Sequence, residues 1–93
     1  MSNPIIRKHI VFHGEVQGVG FRWRAMRAAE MQGCTGWVRN EWDGSVAMEI
    51  QGNRYGIEAV LESLRNGAYI HIEDTEEKDL PLQEDEREFR VLF

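Results

Sequence analysis

The segment Gly14-Glu15-Val16-Gln17-Gly18-Val19-Gly20-Phe21-Arg22 gathers residue types suited to holding an oxyanion. Glycines let the main chain curl at positive φ, where other residues are strained. Successive N–H groups can then point inward and form an anion-binding concavity. Arg22 follows, and a guanidinium grips two oxygens at once with a planar fork that an ammonium lacks. The bland alternative is a strand-to-helix turn followed by a solvated arginine. The segment matches neither G-x-x-x-x-G-K-[ST] nor G-x-G-x-x-G, so it is not a nucleotide P-loop or a dinucleotide fingerprint.

A second segment is Gly36-Trp37-Val38-Arg39-Asn40, continued by Asp43-Gly44-Ser45-Val46. It puts an uncharged carboxamide, Asn40, where a strand ends. Asparagine donates and accepts without carrying charge. It can hold a water beside an anionic substrate without repelling that substrate. A plain hairpin turn residue is the competing reading.

Other chemistry-bearing residues read as structural. Cys34 is the only cysteine, so an internal disulfide and a cysteine-rich zinc site are excluded. Between Gly33 and Thr35 it reads as a small buried hydrophobe. His9, His13 and His71 have no metal-ligand spacing. His13 precedes the glycine loop, where a general base is conceivable, but a structural histidine at a strand end is expected.

Periodicity supplies the elements that must position these groups. A strand is predicted from about Lys8 to His13, with Ile10 and Phe12 on one face. A helix follows from about Phe21 to Gln32, stopped by Gly33. Strands are predicted at Gly36–Arg39 and Ser45–Gln51, joined by a hairpin with Asp43-Gly44 as its turn. A second helix carries Ile57, Val60, Leu61 and Leu64 at i, i+3, i+4 and i+7, and Gly67 closes it. A fourth strand is expected from about Ala68 to Glu73, then an acidic loop with Pro81, then a last strand from Phe89 to Phe93. The order βαββαβ predicts an α+β, ferredoxin-like sandwich. One antiparallel sheet carries two helices on one face, in a single domain over residues 1–93. The first two strands of the leading βαβ unit are expected as parallel neighbours, with Asn40 beside the loop after the first strand.

Charge and composition narrow the functional classes. The net charge is −5, with the acids concentrated after Glu73. That opposes general nucleic-acid binding, which draws its affinity from neutralised phosphates. It leaves room for a small anionic ligand near Arg22. No apolar run is long enough to span a bilayer, and the residues from Met1 to His9 do not read as a signal peptide. A cytoplasmic monomer acting on a small molecule is expected, with no nucleic-acid or membrane partner.

The two segments together resemble the signatures of the acylphosphatase family. Gly14-x-Val16-Gln17-Gly18-Val19-Gly20-Phe21-Arg22 is similar to its phosphate-binding loop. Gly36-Trp37-Val38-Arg39-Asn40-x-x-Asp43-Gly44-Ser45-Val46 is similar to its second signature. The likeness extends through Gly52 and the second helix to Phe89-x-Val91, and the chain has the length of the free-standing enzyme. The resemblance implies a ferredoxin-like fold and hydrolysis of acyl phosphates to carboxylate and phosphate. Arg22 would be the phosphate-binding arginine and Asn40 the water-orienting asparagine. The main-chain amides of Val16, Gln17, Gly18, Val19, Gly20, Phe21 and Arg22 would form the cradle. No metal or other cofactor is implied. The chain departs from the family at Gly67-Ala68-Tyr69-Ile70, where Gly-Pro-Pro and then alanine is frequent. It departs again at Gln32, where an apolar residue is usual. Trp42 is large for its hairpin and is a candidate to influence which acyl group is accepted.

Such a reaction needs few residues. The leaving carboxylate is already a stable anion, so no general acid has to protonate it. Binding the phosphoryl oxygens and aiming a water remain. With no strong base in either motif, the substrate phosphate itself can take the water's proton, which predicts a rate flat across the histidine range. Two other readings compete: a non-catalytic anion-binding module, and RNA binding through aromatic residues such as Phe12, Trp37 and Tyr69.

Overall fold

The computed structural model describes residues 4–93. Met1, Ser2 and Asn3, on which the reading of the chain start partly rests, lie outside the described residues. The elements run β1 (Ile5–Glu15), α1 (Phe21–Met31), β2 (Thr35–Asn40), β3 (Val46–Asn53), α2 (Arg54–Arg65), β4 (His71–Leu80) and β5 (Phe89–Leu92). The strands form one five-stranded sheet in the order β4-β1-β3-β2-β5. The fold is the expected ferredoxin-like α+β sandwich.

Three expectations are corrected. The sheet is mixed, because β5 pairs parallel to β2 with Val38 opposite Val91, while the other pairs are antiparallel. β1 and β2 run parallel but are not neighbours, since β3 lies between them and pairs with both. The fourth strand spans His71–Leu80, so much of the acidic stretch read as loop is strand. It pairs along β1 from Arg7↔Leu80 to Glu15↔His71 at the sheet edge. Its side chains are mostly exposed, and the row of charges is of the kind that discourages edge-to-edge pairing.

One sheet face and the two helices enclose the core. Ile10 and Phe12 of β1, Val38 of β2, and Val46, Met48 and Ile50 of β3 point inward. Against them lie Phe21, Ala25, Ala28 and Ala29 of α1, and Ile57, Val60, Leu61 and Leu64 of α2. Burying each large apolar side chain contributes about 1.5–3 kcal/mol. Phe12 meets Phe21 edge-on, with centroids 4.9 Å apart, and so anchors the start of α1 to β1. This contact fixes the loop between them from below.

The other sheet face is polar. Arg7 is only 2% exposed and is held by Glu49 at 3.0 Å and Glu86 at 2.7 Å. His9 Nδ1 lies 2.8 Å from Glu49, and the Arg39 guanidinium sits over the Trp37 ring. Gln51 bonds the main chain of Gln83 in both directions. The segment before β5 is thereby strapped across this face. Phe12 is buried in the core, Trp37 lies on the polar face, and Tyr69 sits in the turn after α2. The three aromatics considered for RNA stacking do not share a surface.

Candidate active site

β1 and β2 run in the same direction, so the loop after β1 and the end of β2 meet at one end of the sheet. With β3 between them, their axes are about 9–10 Å apart. The loop from Val16 to Gly20 crosses this gap. Gly18 and Gly20 have φ of 73° and 78°, in the left-handed region that side chains disfavour. Gly20 is also the N-cap of α1 and offers no capping side chain. The first helical bond runs from Arg24 N to Gly20 O at 3.0 Å. The amides ahead of it therefore lack helical acceptors. Among the described residues, none of the Gln17–Gly20 amides donates to a main-chain carbonyl. A curl of available N–H groups thus sits at the positive end of a helix, the arrangement that binds anions.

Val16, Gly18, Gly20, Phe21, Arg22 and Asn40 line a single pocket of about 210 Å³, joined by Trp23, Val91 and Phe93. Arg22 is half-buried, and its Nη1 donates to the Leu92 main-chain oxygen at 3.2 Å. Its guanidinium carbon lies 5.1 Å from the centroid of the Phe93 ring. The parallel β2–β5 pairing brings these C-terminal residues here, with Arg39 opposite Leu92. Asn40 is half-buried at the last position of β2.

Two residues of the cradle do not face this pocket with their side chains. Val19 packs against the core and borders a neighbouring groove. The Gln17 carboxamide turns to the β2–β3 hairpin and donates to the main-chain oxygens of Glu41 at 2.6 Å and Ser45 at 2.8 Å. The hairpin is itself closed by Asp43, whose carboxylate accepts from the Ser45 hydroxyl at 2.6 Å and its amide at 2.9 Å. Those bonds hold the Asp43 carboxyl below its usual range.

Other candidates lie elsewhere. Trp42 is 99% exposed at the hairpin tip and lines none of this pocket. His13 is paired with Glu76 at 2.6 Å on the sheet surface. Cys34 is buried, and desolvation pushes its thiol pKa up, which makes it a poor nucleophile. Sequence reasoning missed Trp23, Val91 and Phe93. Trp23 was legible as the next residue after Arg22. The β5 residues reach the pocket only through a pairing that no local pattern announces.

An amide loop, a guanidinium and a carboxamide meet in a compact pocket at one end of a small split βαβ sandwich, a set of groups chemically suited to an oxyanion. The acylphosphatase family profile matches residues 8–91. An acylphosphatase from Geobacillus kaustophilus is 37% identical over 93 residues, covering 94% of each chain. The crystal structure of acylphosphatase from Bacillus subtilis superposes with a TM-score of 0.86 at 27% identity, over 95% of this chain and 99% of that one. An acylphosphatase structure from Coxiella burnetii gives 0.85 at 28% identity, over 95% and 93%. The chain belongs to the acylphosphatase family, and as a member of it is a hydrolase. Among the described residues no helix is long and apolar enough to cross a membrane.

Proposed function

We propose that this chain hydrolyses acyl phosphates without a metal or other cofactor, using Arg22 and the 16–22 main-chain amides to hold the phosphoryl group and Asn40 to orient the attacking water. The observation that carries this reading is that Arg22, Asn40 and the glycine loop line one small pocket. The loop amides and the helix N-terminus offer fixed dipoles to the phosphoryl oxygens, and Arg22 adds full charge where the transition state spreads it. The Asn40 carboxamide accepts from a water and leaves it uncharged, so nucleophile and phosphoryl group are not driven apart. The departing carboxylate needs no proton. The proton of the water passes to a phosphoryl oxygen, since among the described residues no carboxylate or imidazole side chain lines the pocket.

The test compares release of phosphate from benzoyl phosphate and from p-nitrophenyl phosphate by the wild type and by Asn40→Ala. The acyl phosphate should be hydrolysed and the monoester, whose leaving oxygen is far more basic, left essentially intact. Asn40→Ala should lower kcat by about 10²-fold or more, as misplacing a reacting group does, with little effect on inhibition by inorganic phosphate. Full activity in Asn40→Ala, or equal turnover of the monoester, contradicts the assignment.

A further inference from the structure

A larger groove, of about 640 Å³, opens directly beside the phosphate pocket, between α1, α2 and the turn after α2. The two cavities share Gly20 and Trp23 in their walls. A molecule whose phosphoryl group sits in the loop can therefore extend past the Trp23 indole into the groove. Trp23 is 62% exposed, a large aromatic surface left open on an otherwise ordinary helix. Tyr69 and Met31, also exposed, border the same groove.

The charge of the groove is as distinctive as its shape. The chain has 16 acidic and 11 basic residues, yet the groove wall contains Arg24 and Arg27 and no carboxylate. Arg24 Nε donates to the Ser63 main-chain oxygen at 2.6 Å, which pins that guanidinium to the wall. Arg27 is exposed one helical turn beyond Trp23, on the same face of α1.

We propose that the acyl half of the substrate lies in this groove, so that the enzyme prefers acyl phosphates with a flat apolar body and an anionic group at the far end. This inference rests on the phosphate assignment above and extends it to the leaving group. Trp23 stacks on the body of the acyl group, and Arg27 meets its distal charge. Acetyl phosphate has no flat body to stack on Trp23 and no distal charge for Arg27, and serves as the internal reference.

The experiment measures kcat and KM of the full chain for acetyl phosphate, benzoyl phosphate and 4-carboxybenzoyl phosphate. KM should fall along that series. Trp23→Ala should raise the benzoyl-to-acetyl KM ratio by about three- to tenfold, the range of one aromatic stacking contact, and Trp23→Phe should restore most of it. Arg27→Gln should raise the 4-carboxybenzoyl-to-benzoyl KM ratio by about two- to fivefold, an effect that added salt erodes. Both positions are exposed on a helix that readily takes alanine or glutamine, and thermal melting verifies that the variants fold. Ratios that stay unmoved in both variants, while benzoyl phosphate is still hydrolysed, overturn the groove assignment alone. Absence of hydrolysis of all three substrates by the wild type overturns the phosphate assignment and this one with it.

Discussion

The Gln17 carboxamide reaches across the end of β3 and donates to the Ser45 main-chain oxygen at 2.8 Å, and from the same nitrogen to Glu41 at 2.6 Å. These two oxygens also accept within the hairpin, from Glu41 N and Gly44 N. One side chain of the Val16–Gly20 loop is thus bolted to the base of the turn that follows Asn40. The strand between β1 and β2 would otherwise leave loop and carboxamide free to drift apart.

Gln17→Leu keeps the volume and removes the donor. It should lower kcat on an acyl phosphate by about tenfold, equivalent to roughly 1.4 kcal/mol of transition-state stabilisation, because water and phosphoryl group lose their mutual alignment. Inhibition by inorganic phosphate should change much less, since the amide curl itself survives. A parallel loss of kcat and of phosphate affinity would mean that Gln17 supports the loop rather than its distance to Asn40.

Arg22 is held at 3.2 Å from the Leu92 oxygen, and this bond orients the fork while the ring of Phe93, 101% exposed, gives only a weak, wet cation–π contact. Arg22→Lys retains charge but loses the planar fork. We expect kcat/KM to fall by about 10²-fold or more in Arg22→Lys and further in Arg22→Ala, comparable to losing an oxyanion donor. Steady-state kinetics with inorganic phosphate as competitive inhibitor measures both effects. Near-wild-type phosphate inhibition in Arg22→Ala would remove Arg22 from the site.

Much of this was legible beforehand, for identifiable reasons. Ile57, Val60, Leu61 and Leu64 announce α2 because one stripe of a 3.6-residue period must be buried. Gly18, Gly20 and Arg22 were readable because positive φ and anion binding require specific residue types. β4 was misplaced because an edge strand exposed along nearly its whole length has no apolar alternation to display. Ile70, inside the span expected for that strand, is buried in the preceding turn, where Ile70 N bonds Gly67 O. Phe93, expected as the last residue of the final strand, lies exposed beyond the strand end, over Arg22. Trp42 drew notice for its size, whereas Trp23 borders the pocket. Residue size is visible in a sequence, and the direction of a hairpin tip is not.

The histidines give a pH prediction. The Glu76 carboxylate raises the His13 pKa through their hydrogen bond, and His13 lies outside the pocket. A raised histidine pKa stabilises the fold below the unfolded value and loses that contribution as pH rises through the folded one. The pair is exposed, so screening keeps the effect on stability small. kcat/KM should therefore be flat across about pH 6–8, where histidines titrate, in both the wild type and His13→Gln. A bell-shaped profile that flattens in His13→Gln would make His13 a proton-transfer group.

The polar face of the sheet predicts an acid sensitivity unrelated to catalysis. Burial pushes the Glu49 carboxyl up, but the bonds from His9 and Arg7 outweigh it and hold Glu49 below its ordinary 4.5. A depressed carboxylate pKa stabilises the fold above the unfolded value, and the contribution is lost as pH falls through the folded one. Wild-type stability should thus begin to decline below about pH 4.5, and Glu49→Gln should show a shallower decline. Arg7→Met should be the more harmful change at neutral pH. It strands two carboxylates, Glu49 and Glu86, each 18% exposed. Because both retain some water, the cost should be about 2–3 kcal/mol, below that of a fully buried broken pair. Pairing Arg7→Met with Glu49→Gln should recover part of that loss, since one of the two stranded charges is then gone. Urea midpoints at neutral and acid pH, with the slope m unchanged, measure all three effects. An additive double variant would mean that Arg7 acts through packing of its stem rather than through the ion pairs.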